Sequence, residues 1–216
     1  MTDHSYWLYV PIYVPDATHP TWPLQLMTNS TKKPSKKSGG WSAVRQHLAA
    51  WDQPALLALV KDLYDAAAEN RDFIQARCHG GDSGGEVLEK YRRKIVEQFY
   101  PARGDGKLKL GEARKAIRDY RKATGNLPGT AELLMTYVEN GAQFTYEYGD
   151  IDERFYSSVE SVLDELASLL RGEARGLYPQ FRNRLANVEQ ITDGMGWGFH
   201  DFIADVVGQL EEELGD

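Results

Sequence analysis

The 216-residue chain has one cysteine, Cys78, and five histidines. A lone cysteine excludes an intramolecular disulfide framework and a Cys-rich zinc module. It suits a reducing compartment, so a soluble, cytoplasmic protein is expected. No apolar run approaches the ~20 residues that span a bilayer, and no membrane partner is expected. The N-terminus lacks the basic segment, the unbroken apolar stretch and the small-residue cleavage site of a secretory signal. No strand pattern follows residues 5–14, and there is no repeat of fixed period. His4, His19 and His47 stand at no meaningful spacing. No cluster has recognisable metal-ligand spacing, so neither a metal nor another cofactor is expected.

What is present is helical periodicity and an uneven charge. The total is 25 Lys+Arg against 32 Asp+Glu, a net −7. Residues 1–86 carry 8 basic and 9 acidic groups, residues 87–125 carry 12 and 5, and residues 126–216 carry 5 and 18. A basic middle therefore stands beside a strongly acidic C-terminal third. Either oppositely charged helices pack together, or a basic patch stays open to phosphate or nucleic acid.

The chain divides into residues 1–40 and a helical domain, 41–216. Residues 5–14 are aromatic and β-branched, which suits a short extended segment. Pro11, Pro15, Pro20 and Pro23 exclude a helix or a central strand there. Residues 28–40 have no aliphatic or aromatic side chain, so a disordered basic arm is expected. Its Lys32, Lys33, Lys36 and Lys37 are able to meet an anionic polymer. The composition break suggests Met27 as the true start, with residues 1–26 an upstream extension of the reading frame. An intact mass of the native protein decides this, and a full-length mass excludes it.

From Trp41 onward the apolar spacing predicts helices over about 53–68, 71–78, 86–100, 110–124, 130–148, 151–171, 178–190 and 198–214. Leu56, Leu59, Val60, Leu63 and Tyr64 form one stripe behind a cap at Asp52. Asn70 suits the cap of the next helix, and Ser83 and Glu86 have capping-box spacing. Phe155, Tyr156, Val159, Val162, Leu163, Leu166, Leu169 and Leu170 form another stripe. The short join at 149–153 predicts an antiparallel hairpin of two long helices. Trp41 and Trp51 are expected as core anchors. The fold class is thus all-α: an irregular helical bundle or short α-superhelix of seven to nine helices with a disordered N-terminal arm.

Three places invite chemistry. In helix 110–124, Arg114, Lys115, Arg118, Arg121 and Lys122 share an arc of about 120°, a candidate nucleic-acid edge. Asp150, Asp152 and Glu153 cluster near Glu147; a divalent cation needs such oxygens to converge. The alternative is capping, since Asp150 and Glu153 have capping-box spacing. The string Gly194-Met195-Gly196-Trp197-Gly198-Phe199-His200-Asp201 opens the last helix. His200 could serve as a general base with Asp201 and Glu147. Alternatively Trp197 and Phe199 pack under the hairpin and His200 bonds within the fold. Cys78 beside His79 is no catalytic pair on adjacency alone, and a free cysteine more often behaves as a small buried apolar group.

Four groups of residues stand out together, in order. They are Ala55-Leu56-Leu57-Ala58-Leu59-Val60-Lys61-Asp62-Leu63-Tyr64 with Asn70-Arg71-Asp72-Phe73; Leu88-Glu89-Lys90-Tyr91 with Phe99-Tyr100-Pro101; Tyr137-Val138-Glu139-Asn140-Gly141 with Tyr148-Gly149-Asp150-Ile151-Asp152; and Gly196-Trp197-Gly198-Phe199-His200-Asp201. Across roughly residues 41–210 the chain resembles a bacterial family filed as a domain of unknown function, number 6155. The resemblance implies a cytoplasmic, helical protein and transfers no catalytic residue. The expected function is a non-enzymatic module that recognises another macromolecule, a protein first of all, through a helical groove. The alternatives are nucleic-acid binding through the basic arm and helix 110–124, and a metal-dependent hydrolase-like enzyme centred on His200.

Overall fold

A computed structural model describes residues 40–79 and 84–215. In chain order the helices are α1 (Trp41–Leu48), α2 (Gln53–Ala66), α3 (Ala68–His79), α4 (Gly84–Phe99), α5 (Leu110–Thr124), α6 (Leu127–Tyr148), α7 (Glu153–Arg171), α8 (Tyr178–Ile191) and α9 (Phe199–Leu214). A 3-10 turn, Arg175–Leu177, precedes α8. No strand occurs among the described residues, and none of their helices is long and apolar enough to cross a membrane. The protein is all-α. The arm with Lys32, Lys33, Lys36 and Lys37, the Met27 start and the Ser83 cap lie outside the described residues.

The chain forms two units, Met1–Ala50 and Trp51–Asp216. In the first, α1 buries no residue, and Trp41 is 71% exposed rather than a core anchor. Eight residues and a sparse apolar pattern give α1 little to bury.

In the second unit, local chemistry sets the helix ends. Asp52 Oδ1 accepts from the Ala55 amide at 2.9 Å, opening α2. Gly125 ends α5 in the left-handed conformation at φ 63°. The next residue, Asn126, caps α6 by accepting from the Gly129 amide at 2.8 Å. Pro128 fits the first turn, so α6 starts three residues before the expected 130. The cap of α7 is Asp152, which accepts from the Phe155 amide at 2.8 Å, not Asp150. Asp150 takes the Tyr156 hydroxyl at 2.9 Å instead. Asn70 is no cap: it lies inside α3 and donates to the Leu63 carbonyl of α2 at 2.9 Å.

Helix α6 is the centre of this bundle, packed on α4, α5, α7 and α8. Helices α6 and α7 form the expected antiparallel hairpin, because their contacts run in opposite order. Phe144 faces Phe155 with ring centroids 6.0 Å apart, and Gly141 faces Val159 further along. A Cβ on Gly141 would sit 2.6 Å from a Val159 methyl, so glycine here permits the close approach of the helices. Phe99 meets Tyr137 edge-on at 5.3 Å, and Tyr91 meets Tyr120 at 5.5 Å, which locks α4 to α6 and α5. Each such large side chain contributes roughly 1.5–3 kcal/mol on full burial, mostly offset by the entropy of ordering the chain.

Helices α2 and α3 attach to this bundle by one side only. Helix α3 packs on α5, whereas α2 packs on α3. Ala76 is buried, and Asp72 takes Lys90 and Lys94 of α4, the latter at 2.5 Å. Burial pushes the Asp72 carboxyl up, but hydrogen bonds and charge from Lys90 and Lys94 outweigh it and hold it below the usual range.

Candidate functional site

The basic edge of α5 is largely answered from within the fold. Arg114 donates to the Ser161 hydroxyl of α7 at 3.1 Å. Lys115 pairs with Asp119 at 2.7 Å, a bond that raises its pKa. Arg121 stands 3.7 Å from Glu165. Arg118 and Lys122 are exposed, and no described acidic group pairs with either; Lys122 lies 5.9 Å from the Phe73 ring centre. The expected five-residue edge thus reduces to two cations one turn apart that have no acidic partner among the described residues.

The acidic third is also partly neutralised. Arg184 of α8 holds Glu139 through two bonds of 2.7 and 2.6 Å and Glu132 at 2.6 Å. Arg92 of α4 reaches the other oxygen of Glu132 at 3.0 Å. These four side chains tie α4, α6 and α8 together, and the hydrogen bonding of Arg184 to the Glu139 carboxylate is the leading cause that raises the Arg184 pKa. Arg171 pairs with Glu213 at 3.1 Å, and Arg182 pairs with Glu211. Opposite charges in the fold meet as cross-helix clamps rather than as two separate fields.

His200, Asp201 and Glu147 have separate surroundings. His200 opens α9 with Nδ1 3.4 Å from the Thr192 hydroxyl and Nε2 4.0 Å from Asp193. The Thr192 hydroxyl lies 3.0 Å from the Val188 and Glu189 carbonyls, which take its one proton. That leaves the Thr192 oxygen to accept from Nδ1. Asp201 is exposed in the first turn of α9, where a carboxylate suits the helix dipole. Glu147 accepts from Gln143 at 2.7 Å at the end of α6. Among the described residues no three His, Cys, Asp or Glu side chains are grouped to hold a metal ion. Phe199 is buried against Tyr156, ring centres 4.7 Å apart, as one reading of the glycine string expects. Trp197 departs from that reading: it is 72% exposed at φ 61°. The intervening turn rotates it away from the core that Phe199 enters. Cys78 is exposed, contrary to the buried alternative.

The site that sequence reasoning missed is on α2. None of its residues is buried. Leu56, Leu57, Val60 and Leu63 remain 37%, 59%, 43% and 47% exposed. Trp51, expected in the core, is also exposed. Polar groups supply much of the join to α3: Asn70 holds the Leu63 carbonyl, Gln75 donates to the Tyr64 hydroxyl at 3.0 Å, and Arg71 sits over the Tyr64 ring. One signal was legible. Leu57 lies about 100° from Leu56 around a helix, so the apolar arc is too wide for one neighbour to cover.

No family model, curated protein or solved structure matches the chain.

Proposed function

We propose that this chain is a helical interaction module that docks a protein through α2. The carrying observation is the aliphatic face Leu56, Leu57, Val60 and Leu63, left open on a well-formed helix in a unit whose other long helices bury theirs. Exposed apolar groups that are contiguous, rather than scattered, mark interaction surfaces. Covering what remains open would contribute roughly 3–6 kcal/mol, at about 1.5–3 kcal/mol for a fully buried side chain. A partner helix with a similar face doubles that, enough to offset part of the association cost of ~4–15 kcal/mol. Recognition of this kind is helix-in-groove docking, with anchors at i, i+4 and i+7 supplied by Leu56, Val60 and Leu63. In this reading the module works in the cytoplasm, where the exposed Cys78 thiol stays reduced.

A photo-crosslinking side chain at Leu57, with Asp205 as the control position, tests this in the expressing cell. A discrete protein adduct at position 57 and none at 205 is expected. No adduct at position 57, or equal labelling at both, contradicts the reading.

A second reading, nucleic-acid binding, draws on Arg118 and Lys122, which are exposed and have no acidic partner among the described residues. It requires a salt-sensitive shift of a DNA or RNA probe that Arg118→Glu weakens. Absence of binding at low salt removes it.

A further inference from the structure

We infer that the partner seated on the α2 face is a second copy of this chain, its own α2 laid antiparallel on the first. This rests on the reading of α2 as the docking face and names its occupant. At about 100° per residue, Leu63, Leu56, Val60, Tyr64 and Leu57 share an arc of about 120° with Val60 at its middle. No charged residue of α2 falls inside that arc. Lys61, the nearest charge of the helix beside it, is already engaged by Asp65. Charge stands instead at the two ends of the face. Asp52, one turn before Leu56, is at the N-terminal end, and Arg71, over the Tyr64 ring, is at the C-terminal end. Both are exposed, and neither has an ion-pair partner among the described residues.

A matching occupant is apolar along its middle and carries opposite charges at its ends, in the reverse order. An antiparallel α2 is such a helix. About a two-fold axis at Val60, Val60 meets its own mate, Leu56 meets Leu63 and Leu57 meets Tyr64, the self-matching that an isologous contact requires. The same arrangement sets the Asp52 end of each copy beside the Arg71 end of the other. It also sets each helix N-terminus beside a C-terminus, the favourable order of their dipoles. A parallel copy sets like charge on like, and a uniformly basic or acidic helix satisfies only one end. The acidic excess of the chain belongs to residues 126–216, with 5 basic and 18 acidic groups, and none of these lies in α2 or α3. Salt screens exposed charges more than ~8 Å apart.

The test uses the full chain. Sedimentation equilibrium from roughly 1 μM to 1 mM should show a reversible monomer–dimer system. Leu57→Gln/Leu63→Gln should weaken the dimer roughly ten-fold or more. Arg71→Glu, which sets a carboxylate beside Asp52 of the other copy, should weaken it several-fold. All three side chains are exposed, and circular dichroism confirms that the helices are kept. Oxidation maps the axis. In a Cys78→Ser background, Val60→Cys should form a disulfide-linked dimer, because the two cysteines meet on the axis. Asp62→Cys lies outside the arc and should stay monomeric under the same oxidant. The photo-crosslinked adduct at position 57 should have twice the mass of the chain.

A wild type that stays monomeric throughout, with a position-57 adduct to a different protein, overturns the second copy while leaving α2 as the docking face. A dimer that the double variant does not weaken, or equal disulfide formation at positions 60 and 62, places the contact elsewhere and overturns the inference. A dimer weakened by the double variant but not by Arg71→Glu, with no disulfide at position 60, overturns the antiparallel arrangement. If the wild type is monomeric and position 57 yields no crosslink, the underlying reading fails as well.

Discussion

In α7, Val159, Val162, Leu163 and Leu166 have no exposed surface, whereas in α2, Leu56, Leu57, Val60 and Leu63 each keep more than a third of theirs. Both helices begin at an aspartate cap, and both carry aliphatic residues at helical spacing. The difference lies in their neighbours. Helix α7 packs on α6 and α9, which cover its wide apolar arc from two sides. Helix α2 has α3 beside it, and much of that join is polar. An amphipathic pattern shows that a helix face favours burial; it does not say that the burial happens within the chain.

The comparison breaks first at Val159. Val159→Asp puts an unpaired carboxylate in the α6–α7 seam, against Gly141. It should lower stability by more than about 4 kcal/mol or prevent folding, read by chemical denaturation. A loss under about 1 kcal/mol would mean that this seam is not core.

A smaller effect is expected at Asp72, the ionic link between α3 and α4. Asp72→Asn should cost about 1–3 kcal/mol at neutral pH, since it leaves Lys90 and Lys94 without their acceptor. The pH dependence has a definite sign. The folded Asp72 pKa is lowered, so its stabilisation is fully present above the unfolded value of about 3.9. It is lost as pH falls below that value through the folded pKa. The gap between wild type and Asp72→Asn should therefore close below about pH 4 in paired melting curves. A gap that widens in acid contradicts the Lys90–Asp72–Lys94 link.

Much of the fold was legible in the sequence because helix signals are local. Asp52, Pro179 and Gly125 do in the structure what their residue types suggest. The slips are also local. Asn70 lies inside α3 instead of capping it, and Asp152 displaces Asp150 because both are capable caps a few residues apart. Burial was less legible, since it depends on which helices meet. Trp41 and Trp197 look like anchors by residue type, yet one lies on a short helix and the other on a turn at positive φ. The basic edge of α5 is legible as an arc, but Ser161 and Glu165, its neighbours, arrive from about 45 residues away. No spacing within α5 indicates them.

The smallest predicted effect bears most directly on the account, because it repeats at Val60 the substitution made at Val159. Val60→Asp alters a half-exposed side chain on α2 rather than a core one. Denaturant unfolding of Val60→Asp beside Val159→Asp should show a loss below about 1 kcal/mol, since the new carboxylate stays solvated. A loss at Val60 approaching that at Val159 would mean that α2 is core after all, and that its face is not open for a partner.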